Sequence, residues 1–548
     1  MRTTLVLLAL LATTVAFWHN TGRAQPQSTH TVTFAVRQIN NAAATCDSLI
    51  RKTSEPSSRH YGQHKSLSQV NAIFLNREAV RRVESWLATQ GHQFETIGDY
   101  IKVTSSISNL ETLLSAKFHA YRHFNIANKI FYKTDAHTVP IEIANDVEFV
   151  LNVDLPRVIP HSFTRSKSAL VDADGNTTPS VINTQYGITN NTVTSATQSL
   201  FEALGQNFSP DDLSAFQQQY QLPNIPISKV TGNNDGSSCS DNPDACGEAN
   251  LDVQYMLAVA QSTETHYRVI DQGSQDPFYD WIIELSQATD TAHVHSVSYG
   301  SLAPEDPKTD MQRFNTEVCK LGLRGVTIVV ASGDDGVANF PARQDPSQCG
   351  FVPSFPATSP YVLAVGATMG PEAGNPEIAC TSDAGGLITT GGGFSVTFNR
   401  PSYQDKAVQN YLANAPNLPD QSHFAVNGRA YPDVAALGHN YVIIDGGSQT
   451  VVSGTSASAP VFAAILTLVN DQRLLNGKTT LGFVNPALYK APASLWTDIT
   501  SGRNNCAAGQ EGSQVCCDEG FTATTGWDPL TGLGSPKFEQ LNAYLGKL

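Results

Sequence analysis

The sequence predicts an α/β domain, a parallel sheet with helices on both faces, preceded by a smaller α+β domain. Over the long C-terminal part, strand-like apolar runs at 267–270, 294–299, 326–331 and 361–365 alternate with helical stretches at 251–260, 311–321 and 459–475. Parallel strands joined by crossover helices require that alternation. From His30 to about Leu155, shorter β-like runs alternate with two helices, as in a compact α+β unit. Pro160 to Pro179 lies between them, rich in Ser, Thr, Asp, Asn and Gly and without hydrophobic periodicity. It reads as an exposed linker open to cutting.

In chain order, Arg2 precedes an apolar run from Leu5 to Leu11 and then small residues, with Ala16 and Ala24 as cleavage points. This layout assigns residues 1–24 to a secretory signal peptide, since the run is short of the roughly 20 residues that cross a bilayer. No later segment reaches that length, so no membrane anchor is expected. Delivery to the lysosome or the exterior follows, and the sequons at Asn176, Asn190 and Asn207 suit glycosylated surface loops. Residues 25–160 form the small domain. Its first helix covers 77–90, with Ala79, Val80, Val83, Trp86 and Leu87 on one face and Gly91 as terminator. The second lies near 109–117, flanked by β-like segments at 100–104 and 149–153. Residues 161–178 are the linker with its processing site, and 179–548 the large domain.

A charged fraction of only 15% with 41% hydrophobic residues describes a globular chain with a sizeable core. The net charge of −15 argues against nucleic acid as a partner, because phosphate contact needs a basic face. In an oxidising compartment the nine cysteines are expected to form disulfides. Cys46 stands far upstream, and removal of the small domain would leave an even set of eight. Cys239 and Cys246 would close a short loop, while the vicinal Cys516 and Cys517 pair elsewhere. The remaining connectivity is open.

The candidate nucleophile is Ser456, in Ser453-Gly454-Thr455-Ser456-Ala457-Ser458-Ala459-Pro460 before a long apolar helix. Small residues admit a substrate backbone, Pro460 suits a first helical turn, and a serine at a helix N-terminus has free N–H donors for an oxyanion. Glu248 and Asp252 are four residues apart at the start of another helical stretch, so both acids emerge on one face. Neighbouring carboxylates resist double ionisation and can hold a proton in the acidic range. Asp334, in Ser332-Gly333-Asp334-Asp335-Gly336, follows an apolar strand, at the edge where parallel sheets bind ligands. Kept neutral, it could donate to an oxyanion alongside the Ser456 N–H.

The serine string resembles the nucleophile motif of subtilisin-like and sedolisin-like serine peptidases. A subtilisin-like base needs a His-Gly-Thr segment, and none of His266, His293, His295, His423 and His439 sits in one. Together the three segments resemble the sedolisin family of serine-carboxyl peptidases, most strongly its lysosomal tripeptidyl-peptidase branch. Tyr61-Gly62-Gln63 is similar to the family's prosegment signature and Thr178-Pro179-Ser180-Val181-Ile182 to its mature start. Val297-Ser298-Tyr299-Gly300, Gly391-Gly392-Gly393-Phe394-Ser395 and Tyr431-Pro432-Asp433-Val434-Ala435-Ala436 follow in family order.

The resemblance implies a subtilisin-like catalytic domain behind a ferredoxin-like prodomain that acts as intramolecular inhibitor and chaperone. It makes Ser456 the nucleophile, Glu248 the general base, Asp252 its supporting acid and Asp334 the oxyanion partner. Peptides and unfolded proteins become the substrates, with tripeptides released from free N-termini in acid. An acid endopeptidase of the same family is the alternative, and an inactive peptide-binding glycoprotein the reading from another class. One departure is Asp335, where many relatives carry Ser; a second acid there would raise the pKa of Asp334. Finally, Trp496-Thr497-Asp498-Ile499-Thr500 and Thr524-Thr525-Gly526-Trp527-Asp528-Pro529 resemble the family's calcium segments. They imply Asp498, Ile499, Thr524, Gly526 and Asp528 as ligands of one structural Ca2+, which wants six to eight oxygens.

Overall fold

The computed structural model describes residues 18–39, 41–123, 129–156, 158–160, 164–165, 175–302, 308–508 and 514–548. Most of the signal segment and of the 161–178 linker lies outside the described residues. Seven parallel strands form the main sheet, in the spatial order Lys229–Thr231, Glu264–Val269, Thr197–Glu202, Val294–Val297, Thr327–Ala331, Leu363–Met369, Val434–Leu437. The short strand Ile378–Ala379 adds one antiparallel pairing at Thr368 and Met369.

Strand residues alternate between the two faces, as the two-residue period demands. Leu200, Val329, Leu363 and Val365 join the core beneath the helices Gly247–Val259 and Thr455–Leu475. Phe201, Ile328, Val330 and Ala364 face the other layer, helices Pro277–Gln287 and Lys308–Leu323. The first strand in sequence, Thr197–Glu202, pairs with Glu264–Val269 on one side and Val294–Val297 on the other. The order of connections reverses there, and such a switch point opens a crevice at the strands' carboxyl ends. Glu202, Ser298 and Asp334 all sit on that edge, each at or just after a strand end.

The 294–299 run expected as one strand is two: Val294–Val297 stays in the main sheet, and Tyr299–Leu302 turns away to pair antiparallel with Ser354–Phe355 and Val158–Pro160.

In the N-terminal domain, Glu95–Ile97, Tyr100–Ser106, Thr29–Val36 and Val147–Leu151 form an antiparallel sheet in that order. With helices in both crossovers this is the ferredoxin-like arrangement. Arg77–Thr89 buries Ala79, Val80, Val83 and Leu87, and Gly91 follows at φ 78°, the left-handed position glycine favours. The second expected helix is Ile107–Leu114, capped by the Ser106 side chain on Asn109 N–H. Two further helices, Ala42–Ser54 and Leu67–Phe74, add to the expected pair. Trp18–Arg23 is a strand paired with Phe118–His123, and Trp18 packs edge-on against Phe131. Processing after Ala24 would remove that strand; processing after Ala16 would keep it.

Two expectations are corrected. Cys46 is not a spare thiol: it is bonded to Cys319 of the catalytic domain, so the other eight cysteines do not form a self-contained set. Cys239–Cys246 is the expected short loop, Cys349–Cys517 and Cys506–Cys516 resolve the vicinal pair, and buried Cys380 is free. Nor is the linker exposed to its end. Thr177 is fully buried, its N–H donating to Asn440 O and its hydroxyl to His439 O. Among the sequons Asn190 is exposed, whereas the Asn207 side chain bonds Gly205 O and Asp235 N–H.

The Tyr431–Ala436 block is explained by Asp433, fully buried beside Arg429 at 2.5 Å. Its oxygens also accept from Ala364 N–H and the Tyr489 hydroxyl. This carboxylate ties a sheet strand to the loop before its neighbour. Replacing Asp433 by Ala would strand the Arg429 charge, so a loss of about 3–5 kcal/mol is expected in denaturant unfolding.

Candidate active site

Ser456 is the second residue of the Thr455–Leu475 helix, whose first-turn N–H groups have no intrahelical acceptor. Pro460 lies in the second turn, not the first as expected. Its missing N–H leaves the Ser456 carbonyl without the usual i+4 donor. The Ser298 hydroxyl fills that place at 3.4 Å, while reaching Asp252 Oδ2 at 2.8 Å. Ser456 Oγ in turn lies 3.3 Å from Ser298 O. Ser298, at the break between two strands, thereby joins the serine helix to the acid helix.

The acid helix, Gly247–Val259, is buried on every side, so Glu248 and Asp252 have no solvent-facing option. Glu248 is 1% exposed and Asp252 0%. Burial pushes the Glu248 carboxyl well above its ordinary range, with Asp252 and Asp334 adding to it. No hydrogen bond of normal geometry reaches either Glu248 oxygen among the described residues, yet the hydroxyls of Ser456 and Ser298 stand close enough to favour its anion. Burial also raises Asp252, and the next cause is Glu202.

Glu202 was not singled out from the sequence. It ends the central strand fully buried, accepts from the Tyr299 hydroxyl at 2.7 Å, and is raised by burial and by Glu248. An acid directly after the apolar pair Leu200 and Phe201 was its only signal. Three carboxyls thus share one low-dielectric pocket and cannot all ionise together.

Asp334 approaches Ser456 from the other side. Its Oδ1 accepts from the Thr455 N–H and hydroxyl, both at 2.8 Å, and its Oδ2 has no partner. A Cβ on Gly454 would fall 3.3 Å from that Oδ2 and 3.5 Å from Ser456 Cβ, so glycine keeps the space between acid and serine open. Burial pushes Asp334 up to about 7 against opposing hydrogen bonds from Thr455. Asp335 adds to the rise as expected, but only as a smaller cause, because Arg343 holds it bidentately at 2.9 and 2.7 Å. Glu248, Asp252 and Asp334 are thus gathered about Ser456, Asp252 through Ser298 and Asp334 through Thr455.

The end of the N-terminal domain and a short piece of the linker pair with strands near the same edge. Backbone at Val158–Pro160 pairs antiparallel with Tyr299–Leu302, and backbone at Thr164–Arg165 with Val452–Ser453, just before the nucleophile.

Asp498 and Asp528 converge on one turn, Asp498 accepting from Gly526 N–H at 3.1 Å and Asp528 from Thr524 N–H at 3.1 Å. Space beside Gly526 is open, and Ile499 is buried next to Asp498. Two carboxylates plus carbonyls of a Gly-containing turn fit a calcium ion. Among the described residues no group of three or more His, Cys, Asp or Glu side chains is arranged to hold a metal ion, so a calcium ion here would depend on backbone carbonyls beside the two carboxylates.

Fold and cleft define a serine-type peptidase of subtilisin-like architecture that carries its own activation domain. Residues 16–155 match the Pro-kumamolisin activation domain and residues 230–479 the Subtilase family. The chain is 34% identical to tripeptidyl-peptidase 1 of Homo sapiens, over 96% of this chain and 93% of that protein. It is likewise 34% identical to physarolisin of Physarum polycephalum, over 97% and 96%. A Pseudomonas sedolisin structure superposes with a TM-score of 0.52 at 23% identity, covering 68% of this chain and 99% of that one, which shows the fold. The chain belongs to the sedolisin family of serine-carboxyl peptidases.

The raised acids set the sign of the pH response. Asp334 is compatible with folding while neutral, and its contribution is lost as pH rises from its unfolded value near 3.8 through about 7; Glu248 and Asp252 are shifted the same way. Thermal melting across that window should show stability falling with pH. If Asp334 donates to an oxyanion, as the family resemblance implies, Asp334→Ala should lower turnover about 10²- to 10³-fold, the cost of one lost donor. Asp334→Asn, which keeps a donor, should lose less.

Proposed function

We propose that this chain is an acid-active tripeptidyl-peptidase, delivered through the secretory pathway to the lysosome or the exterior as a zymogen. The observation that carries the mechanism is Ser456 standing between a proton-sharing acid pair and an acid whose free oxygen faces the serine. Ser456 Oγ attacks the scissile carbonyl carbon while its proton passes to Glu248, which Asp252 positions through Ser298 and shared charge. The tetrahedral oxyanion accepts from the neutral Asp334 carboxyl and the Ser456 N–H. Glu248 then gives its proton to the leaving amine. Water, deprotonated by Glu248, releases the acyl group and restores the serine.

The base must be ionised while Asp334 stays protonated, so the rate should peak in acid. Tripeptide release is favoured by the likeness to tripeptidyl-peptidase 1 over nearly the whole chain. The Val158–Pro160 strand beside Tyr299–Leu302 favours a second, endopeptidase reading, because an internal segment has no free amine to offer. Incubating a free-amine peptide and its amine-blocked twin at acid pH separates the two: tripeptides from the free form alone support the first reading, and internal cuts in both support the second. Ser456→Ala should abolish either product; unchanged turnover would mean that the activity does not arise at Ser456, which would promote a peptide-binding role for this cleft instead.

Calcium held by Asp498, Ile499, Thr524, Gly526 and Asp528 would neutralise two carboxylates and pin the C-terminal turns. A chelator is expected to lower the melting temperature, and an unmoved melting curve would remove the ion from this account.

A further inference from the structure

The face where the N-terminal domain meets the catalytic domain is built to last beyond the cutting of the linker. Cys46 lies on the Ala42–Ser54 helix and Cys319 on the Lys308–Leu323 helix, with their sulfurs bonded across a sequence separation of 273 residues. Both are fully buried in an apolar cluster with Ile50, Phe74, Leu323 and Phe483 drawn from both domains. Beside it, buried Arg313 of the catalytic domain makes ion pairs with Asp99 at 3.0 Å and Glu148 at 2.7 Å, both from the N-terminal domain.

Every cut within residues 161–178 leaves Cys46 on one fragment and Cys319 on the other. We propose that linker cleavage converts this protein into a two-chain enzyme whose prodomain remains a covalent partner, joined through Cys46–Cys319 and released only by a thiol reductant. The inference rests on the zymogen reading, but it concerns what happens after the cut. A tether of this kind holds the severed domain at an effective concentration on the order of millimolar, so dilution cannot remove it. Release requires two thiols of an added reductant to lose two electrons and two protons and join as a disulfide. Cys46 and Cys319 take up those electrons and protons and return to thiols.

The test uses the full chain, secreted and incubated at acid pH until the linker is cut. Electrophoresis with dithiothreitol should show two fragments and without it a single species, and size exclusion without reductant should keep both fragments in one peak. Thiol counting in denaturant without reductant should find one group, Cys380. Fragments that part without reductant, or additional thiols that map to Cys46 and Cys319, would overturn the proposal. The double variant Cys46→Ser with Cys319→Ser should release its prodomain after cutting with no reductant. Should that variant fail to fold, non-reducing peptide mapping of the natural chain decides by finding or missing the Cys46–Cys319 cross-link. A chain that stays whole in acid even under reduction contradicts self-processing instead; a protease specific for basic residues, acting at Arg165 or Lys167, then supplies the cut and the same gels judge the tether.

Discussion

The burial of several carboxyl groups around one hydroxyl is the constraint on which the site depends. Glu202, Glu248, Asp252 and Asp334 are each almost wholly removed from water, and isolated anions in that environment are too costly to keep. Protons must therefore be shared among them, which turns a set of ordinary acids into a base that can take a proton and a donor that can hold one. Histidine offers such a switch near neutrality; here burial raises acids that would otherwise titrate well below it. No imidazole is among the groups bonded to Ser456 in the described residues.

Backbone chemistry makes that burial possible. A helix usually shows one face to water, but Gly247–Val259 is enclosed throughout and its polar side chains are consumed inside the core. Gln254 bonds Ile444 O, and Tyr255 bonds Thr177 O and Val442 O. Those bonds fix the helix, and so the direction in which Glu248 and Asp252 point. On the serine side, Pro460 removes a donor and Gly454 removes a side chain. The first change leaves the Ser456 carbonyl to Ser298, and the second leaves room at Asp334 Oδ2.

Local patterns announced part of this. Ser456, Glu248, Asp252 and Asp334 were legible because each sits at a helix start or strand end that short-range patterns reveal, and the four-residue spacing already placed two acids on one face. Glu202 was not, nor was the role of Ser298 within its family-like block, since a single acid or serine at the end of a strand says nothing until the sheet order brings 202 and 298 to the same edge. The 294–299 run looked continuous because its apolar content hides the break at Ser298. The Ala42–Ser54 helix escaped notice because it buries Cys46, Ile50, Thr53 and Ser54, half of them polar, against a partner surface more than 250 residues away in sequence. The same distance concealed the Cys46–Cys319 bond, for spacing alone constrains short loops and leaves long ones free.

Two kinds of control thus occupy different faces of one domain. The cleft edge, where Val158–Pro160 lies beside Tyr299–Leu302, responds to protons, because Glu202, Glu248, Asp252 and Asp334 are raised by burial. On the face carrying Lys308–Leu323 one carboxyl is shifted the opposite way. Asp99 is also buried, which favours its neutral form, but the charges of Arg313 and Lys320 outweigh that and hold it below the ordinary carboxylate range. A fall in pH that protonates the buried cleft acids still finds Asp99 held toward its charged form by Arg313 and Lys320, and it leaves a disulfide untouched. Opening the cleft and parting the domains are therefore separate events, with different chemistry required for each.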